Sequence, residues 1–313
     1  MEMRKHYFLD KFVIIANERS KRPHQFYHKK EENKEDIDYF APGNEHLTPD
    51  ESYRYPENST GKDWQIRVFP NKFAFLDPDA EKGIDSSENN FIHSKGYGYH
   101  EVLVETPDIN KNLSDLKHDE LKLVFRTYSK RIKELSSRQG ISYVLVFKNS
   151  GKDAGTSIRH THSQIAALEI VPESVKLKED AIKKYGKDPF EDIIEKEKDS
   201  ERLCFENNTM MAIAPYASRF PFEVLVVPKT FKKNIIDFEE NELDDLTEIM
   251  SKLLKKLNDL NASYNFYLHY GIEKMRFHIE IAPRLGKWGG FEIGSGIIVN
   301  SVLPKDAAKF YRE

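Results

Sequence analysis

His100-Glu101-Val102-Leu103-Val104 returns as Phe222-Glu223-Val224-Leu225-Val226, an offset of 122 residues from position 100 to position 222. Both runs are rich in Val and Leu and read as strands. An amphipathic stretch with apolar residues at helical spacing follows each copy, over 113–135 and 235–257. Strand-like runs come next, Tyr143-Val144-Leu145-Val146-Phe147 and Tyr264-Asn265-Phe266-Tyr267-Leu268, offset by 121 from position 143 to position 264. The series closes with His160-Thr161-His162-Ser163-Gln164-Ile165-Ala166 against Arg276-Phe277-His278-Ile279-Glu280-Ile281-Ala282, offset by 116 from position 160 to position 276. Unequal loops account for the drift. Two successive units of strand, helix, strand and strand predict an α+β fold with antiparallel sheets and packed helices. The expected lobes are 1–185, carrying the candidate chemistry, and 186–313. A charged segment, 172–202, joins them and reads as a solvated helix and loop.

Composition narrows the function classes. Lys and Arg total 48 against 52 Asp and Glu, so no strong field gathers nucleic acid or an acidic membrane surface. Any phosphate chemistry must rest on local groups. The single cysteine, Cys204, forms no intramolecular disulfide and no Cys-x-x-Cys metal cage, which fits a reducing compartment. The charged start of the chain, 1–12, lacks the apolar core of a signal peptide, and no apolar run approaches the ~20 residues of a membrane span. The expectation is a soluble cytoplasmic protein.

The candidate chemistry lies in the first unit. If 160–164 is extended, His160, His162 and Gln164 share one face while Thr161 and Ser163 point to the other. Ahead of them runs a polar turn, 149–157, whose glycines and small residues let backbone N–H groups approach an anion. A neutral imidazole is a competent nucleophile toward phosphorus when one ring nitrogen donates its proton to a fixed acceptor. The Gln164 amide can donate to a phosphoryl oxygen without offering a base to the intermediate, which favours transfer over hydrolysis. Read from residues alone, His-x-His-x-Gln also fits a solvated sheet face, or a metal pair completed by groups such as His278 and Glu280. No Walker loop or dinucleotide-binding glycine fingerprint is present.

With these residues in view, the chain resembles the galactose-1-phosphate uridylyltransferase family of the histidine-triad superfamily, nearest its ADP-glucose phosphorylase-like branch. The resemblance runs through Val13-Ile14-Ile15-Ala16 with Arg19 and Arg22-Pro23, Pro42-Gly43-Asn44-Glu45 with Thr48-Pro49, and Arg67-Val68-Phe69-Pro70-Asn71-Lys72-Phe73. It continues through Gly98-Tyr99-His100-Glu101-Val102, the segment from His160 to Gln164, Phe220-Pro221-Phe222-Glu223, and Gly290-Phe291-Glu292-Ile293-Gly294-Ser295-Gly296 with Asn300. It implies two tandem histidine-triad-like lobes and transfer of a nucleotidyl group through a covalent nucleotidyl-histidine on His162. Gln164 takes the place of the transferase glutamine and His160 flanks the nucleophile. Asn149, Gly155, Thr156 and Ser157 match positions that hold phosphates, Asn71 and Phe73 positions around the nucleoside, and Glu292 a position on the sugar hydroxyls. For Phe73 and Phe291 the bland alternative is core packing.

The implied partners are a nucleotide sugar with a sugar phosphate or phosphate, and a homodimer is the expected assembly; nucleic acid, membrane and cofactors are not expected. The alternatives are a dinucleoside polyphosphate phosphorylase or hydrolase, a non-catalytic nucleotide-binding protein, and a metal-dependent enzyme. Members with structural zinc carry Cys-x-x-Cys where this chain has Asp38 and Ala41, with a third ligand at Ile109, so no zinc is expected at His160. Asp188 and Glu191 replace a second Cys pair, and Lys178 and Glu280 occupy two positions of a second metal site.

Overall fold

The computed structural model describes residues 1–18, 37–85 and 90–313; Arg19, Arg22 and Pro23 lie outside the described residues. The chain divides into two compact units, each discontinuous in sequence. One, the His162 unit, comprises Asn33–Lys148 and Ile158–Pro172. The other, the His278 unit, comprises Met1–Glu32, Asn149–Ser157 and Glu173–Glu313.

The chain begins in the His278 unit with β1 (Glu2–Lys5) and β2 (Phe12–Ile15), an antiparallel pair. The His162 unit then supplies β3 (Tyr53–Tyr55), β4 (Ile66–Pro70), the short ribbon of β5 (Ile84–Asp85) and β6 (His93–Ser94), and β7 (Gly98–Val104). Helix α1 (His118–Ser136), β8 (Tyr143–Ser150) and β9 (His162–Leu168) complete it, the last two residues of β8 counting with the other unit. Its main sheet has the order β8-β9-β7-β4-β3, every neighbour antiparallel. Helix α1 buries Leu121, Val124, Phe125, Tyr128, Ile132 and Leu135 at the expected helical spacing. Each such side chain contributes about 1.5–3 kcal/mol.

The His278 unit resumes with α2 (Glu173–Tyr185), α3 (Pro189–Glu197), β10 (Leu203–Glu206), β11 (Met210–Ile213) and β12 (Val224–Pro228). It ends with α4 (Glu240–Asp259), β13 (Tyr264–His269), β14 (His278–Pro283), α5 (Gly290–Ser295), β15 (Ile298–Asn300) and α6 (Pro304–Arg312). The order β13-β14-β12-β11-β10 repeats that of the first sheet, strand for strand and again antiparallel. β15 adds to β2 in parallel, and Val13, Ile15, Ala217 and Leu303 pack together beside this small sheet. The expected α+β fold with antiparallel sheets is therefore what the chain adopts.

Two details differ from the sequence reading. Val104 pairs with His162, whereas Val226 pairs with Ile279, so Val227 falls opposite His278 and the first strands correspond at 123 residues rather than 122. Likewise Phe147 faces Gln164 and Tyr267 faces Glu280, an offset of 120 rather than 121. All five residues of β12 are buried, so no alternation of polar and apolar residues fixes its register in the sequence. The second difference is the joining segment. It forms α2 and α3, and α2 buries Val175, Lys178, Glu179 and Ile182. A charged helix can bury this face because each charge finds partners: the Glu179 carboxylate accepts the backbone N–H groups of Ile272, Glu273, Lys274 and Met275. Among the described residues no helix is long and apolar enough to cross a membrane.

Candidate active site

In the His162 unit, β9 starts at His162, and the alternation expected of 160–164 is realised. Thr161 and Ser163 turn to the far face, where both donate to Glu105. His162 is 7% exposed and donates from Nδ1 to the carbonyl of His160 at 2.8 Å. That bond fixes the tautomer and leaves Nε2 as the lone-pair nitrogen, with no partner among the described residues. Burial first, and then the nearby Lys148 ammonium, push the imidazole down to about 4, so it is neutral at ordinary pH. The Phe40 ring stands edge-on to His162 at 5.4 Å between centroids.

His160 lies just before the strand with both nitrogens engaged. Nδ1 meets the Asp38 carboxylate at 2.9 Å and Nε2 the carbonyl of Thr106 at 2.7 Å. With both nitrogens against oxygen acceptors, neither is open to a metal. The zinc that the resemblance would place here therefore does not fit: Asp38, where zinc-bearing members carry the first cysteine, holds His160 directly.

Gln164 and Asn71 converge on a residue that the sequence reading placed in the repeat but not in the site. His100 Nε2 lies 2.8 Å from Gln164 Oε1 and 3.4 Å from Asn71 Nδ2. Asn71 also closes its own turn, its Oδ1 accepting the Phe73 N–H at 2.9 Å. Phe73 is 85% exposed and Phe291 52%, so neither is a core residue.

The His278 unit holds the other candidates. Asn265 donates to Asn149 Oδ1 at 2.8 Å and to the carbonyl of Ala154 at 2.9 Å, tying the start of the loop Asn149–Ser157 to its middle. Gly151 has φ +84° and sits where a Cβ would collide with Ser263; Gly155 has φ +86° at the end of a single helical turn, Lys152–Ala154. The Thr156 hydroxyl is enclosed with no hydrogen-bond partner, and Ser157 is exposed. Glu292 accepts the Gly289 N–H and so caps α5.

The second repeat copies the frame of the first and fills it differently. His278 Nδ1 donates to the carbonyl of Arg276 at 2.9 Å, as His162 does to that of His160. Asp188 accepts from Arg276, as Asp38 does from His160, and each aspartate also accepts the N–H of a phenylalanine two residues on. Those rings, Phe40 and Phe190, lie against His162 and His278. The sequence carries this second repeat as Asp38-Tyr39-Phe40 and Asp188-Pro189-Phe190, a signal too short to stand out.

What differs is Nε2. Lys178 donates to His278 Nε2 at 2.7 Å, to His269 Nδ1 at 2.8 Å and to Glu280. Burial alone would raise the Glu280 carboxyl, yet Lys178 and Arg219 hold it well below the usual carboxylate range. His269, His278 and Glu280 lie close enough together to ligate a metal, but a buried ammonium stands among them, so a dication does not fit. Replacing that cation by a carboxylate creates four ligands: Lys178→Glu is expected to take up zinc stoichiometrically and to gain thermal stability from it, while the parent does neither. Elemental analysis of both proteins after zinc loading and desalting checks this.

Buried neutral imidazoles also set an acid limit. His6 and His269 are each pushed down to about 3, and His162 to about 4, in every case first by burial. The unfolded chain protonates these rings near their ordinary ~6.5, so between 6.5 and 4 it binds protons that the folded chain refuses. Full stability is therefore present above pH 6.5 and is lost as pH falls toward 4. The urea midpoint is expected to drop clearly between pH 7.5 and pH 5; an unchanged midpoint contradicts the assignment.

Known proteins match this chain over its whole length. The family model described as galactose-1-phosphate uridyl transferase, N-terminal domain, matches residues 1–172, and one described as a domain of unknown function matches 105–310. ADP-glucose phosphorylase of Arabidopsis thaliana is 31% identical, the match covering 100% of this chain and 92% of that one. Galactose-1-phosphate uridylyltransferase of Thermotoga maritima is 26% identical over 100% of this chain and 98% of its own. The crystal structure of an Arabidopsis thaliana ADP-glucose phosphorylase with bound ADP-glucose superposes with a TM-score of 0.85 at 29% identity, covering 100% of this chain and 98% of that one. With a family model matching more than half its length, the chain belongs to the galactose-1-phosphate uridyl transferase family.

Proposed function

We propose that the protein is a nucleotidyltransferase acting on a nucleoside-diphosphate sugar, as an ADP-sugar phosphorylase or a hexose-1-phosphate uridylyltransferase, through a nucleotidyl group carried on His162. The observation that carries the reading is the difference between the two repeats: His162 keeps an unpartnered, unprotonated Nε2, whereas its counterpart His278 is capped by Lys178. In the first half-reaction the Nε2 lone pair forms a bond to the α-phosphorus. The bond from that phosphorus to the bridging oxygen breaks, and a sugar 1-phosphate leaves. In the second, an oxygen of phosphate or of another sugar 1-phosphate attacks the same phosphorus and the P–N bond returns its pair to Nε2. The proton stays on Nδ1, donated to the His160 carbonyl, throughout.

The other candidates take supporting roles in the same proposal. Gln164 donates to a non-bridging oxygen, and Gly155, Thr156 and Ser157 with Asn149 hold the phosphates. Asn71 and Phe73 meet the nucleoside and Glu292 the sugar hydroxyls. His160, locked by Asp38, presents the carbonyl that orients His162. The lobe 1–185 carries the chemistry and 186–313 supports it. The proposal places the protein in the cytoplasm, whose reducing conditions suit its single cysteine, and takes it as a homodimer; its near-balanced charge gives no field to gather nucleic acid or an acidic membrane.

Mixing the protein with ADP-glucose, UDP-glucose and dinucleoside polyphosphates, then mapping adducts by mass spectrometry, tests the reading. A nucleoside monophosphate on the His162 peptide, released by phosphate or a sugar 1-phosphate, is the expected result. Turnover of dinucleoside polyphosphates alone would move the substrate class, and an absence of both adduct and turnover with every donor would sink the proposal.

A further inference from the structure

We infer that His100 is a positioning residue for the transfer step: it donates from Nε2 to the side-chain carbonyl of Gln164 and thereby holds that amide with its NH2 end free for a phosphoryl oxygen. The inference rests on the proposed role of Gln164.

His100 lies on β7 opposite Ala166, and Gln164 on β9 opposite Val102, so the two are diagonal neighbours on one face of an antiparallel pair. Their 2.8 Å contact joins Nε2 to the Gln164 oxygen, which can only accept, so Nε2 carries the proton. The rival arrangement turns the amide over so that its NH2 donates to an unprotonated Nε2. That moves the ring proton to Nδ1, and His100 Nδ1 is enclosed with no partner. An N–H left unsatisfied there costs about 1–3 kcal/mol, whereas a bare lone pair at the same atom costs less. The ring's own protonation as a cation is opposed by burial, which pushes it below the ordinary imidazole value.

Two further contacts make the imidazole a fixed reference. Its backbone carbonyl accepts the Asn71 N–H at 2.7 Å, and the Phe75 ring lies over it with centroids 4.0 Å apart. Asn71 Nδ2, at 3.4 Å from the same Nε2, is a donor facing a donor and does not compete with the shorter bond to Gln164. The Gln164 NH2 has no partner among the described residues, as a group reserved for ligand should. Without His100 the amide is free to turn, and part of the time it presents its oxygen to an anionic phosphoryl group.

The test combines kinetics with a direct readout of the tautomer. His100→Leu is expected to lower kcat about tenfold with KM changed by less than about twofold, because the contact matters in the transition state rather than in binding. Gln164→Ala loses more, and adding His100→Leu to it changes kcat by less than about twofold, since a residue acting through Gln164 has nothing left to act on. His100→Gln, which restores an N–H donor, recovers most of the loss. NMR of the imidazole nitrogens shows His100 as the Nε2–H form in the parent. Additive losses in the double variant overturn the inference, and so does an Nδ1–H tautomer, whatever the activity. If the parent forms no nucleotidyl-histidine, the proposed function fails instead, and the NMR result still decides the His100–Gln164 bond.

Discussion

His162→Ala is expected to lower nucleotidyl transfer by at least about four orders of magnitude, the loss typical when a covalent nucleophile is removed. The size of the effect follows from the absence of a substitute. His160 cannot take over, because both its nitrogens are engaged by Asp38 and the Thr106 carbonyl. His278 cannot, because Lys178 caps its Nε2. Nucleotide binding should survive, since the remaining candidate phosphate, nucleoside and sugar groups are untouched, so KM or Kd should change far less than kcat. Burst kinetics and intact-mass measurement on the parent, His162→Ala and His278→Ala separate these claims. Adduct lost only in the first variant is the expected pattern; equal labelling of His162→Ala and parent contradicts it. Because His162 is held down to about 4, the rate of the first half-reaction should be flat from pH 6 to pH 8 and fall only on acidification.

How much of this was legible in the sequence depends on whether a feature is local. The repeat and the alternation of His160, His162 and Gln164 against Thr161 and Ser163 could be read because both are short-range patterns, and the sheets bear them out. The register of β7 and β12 could not, because apolar runs buried on both faces look the same after a shift of one residue. Asp38 was legible as a missing zinc position, but its bond to His160 joins residues 122 apart in the chain. The interior of α2 was missed for a related reason. The resemblance marked Lys178 as a metal position, but by composition the segment 172–202 reads as solvated, and Glu179 gives no other sign until the backbone N–H groups of 272–275 are brought alongside. His100 carried a signal that the repeat alone did not use, an imidazole two residues into β7 ahead of the apolar run Val102-Leu103-Val104.

The second large effect concerns the layer beneath His162. Glu105, 2% exposed, accepts from Lys148 at 2.6 Å, from Thr161 at 2.7 Å, from Tyr128 at 3.2 Å and from Ser163. Lys148 in turn donates to the His162 carbonyl at 2.9 Å. Glu105→Ala removes the one anion among these donors and leaves a buried ammonium unpaired, a change expected to cost about 3–5 kcal/mol. The ammonium can escape part of that by releasing its proton, which burial already favours. In the variant the unfolded chain, with an ordinary Lys near ~10.4, then binds a proton that the folded chain does not, so stability rises with pH across this range. The destabilisation measured by urea unfolding should accordingly be smaller at pH 9 than at pH 7. Lys148→Met combined with Glu105→Gln tests the cause, because it removes both charges while keeping an oxygen for the hydroxyls of Thr161, Ser163 and Tyr128. It should recover much of the loss. If the double variant is as unstable as Glu105→Ala, the cost lies in packing rather than in an uncompensated charge. Activity then distinguishes the two roles of the layer: a refolded double variant that lacks the Lys148 bond to the His162 carbonyl should still bind nucleotide but transfer it more slowly, because the carbonyl fixing the strand has lost its donor.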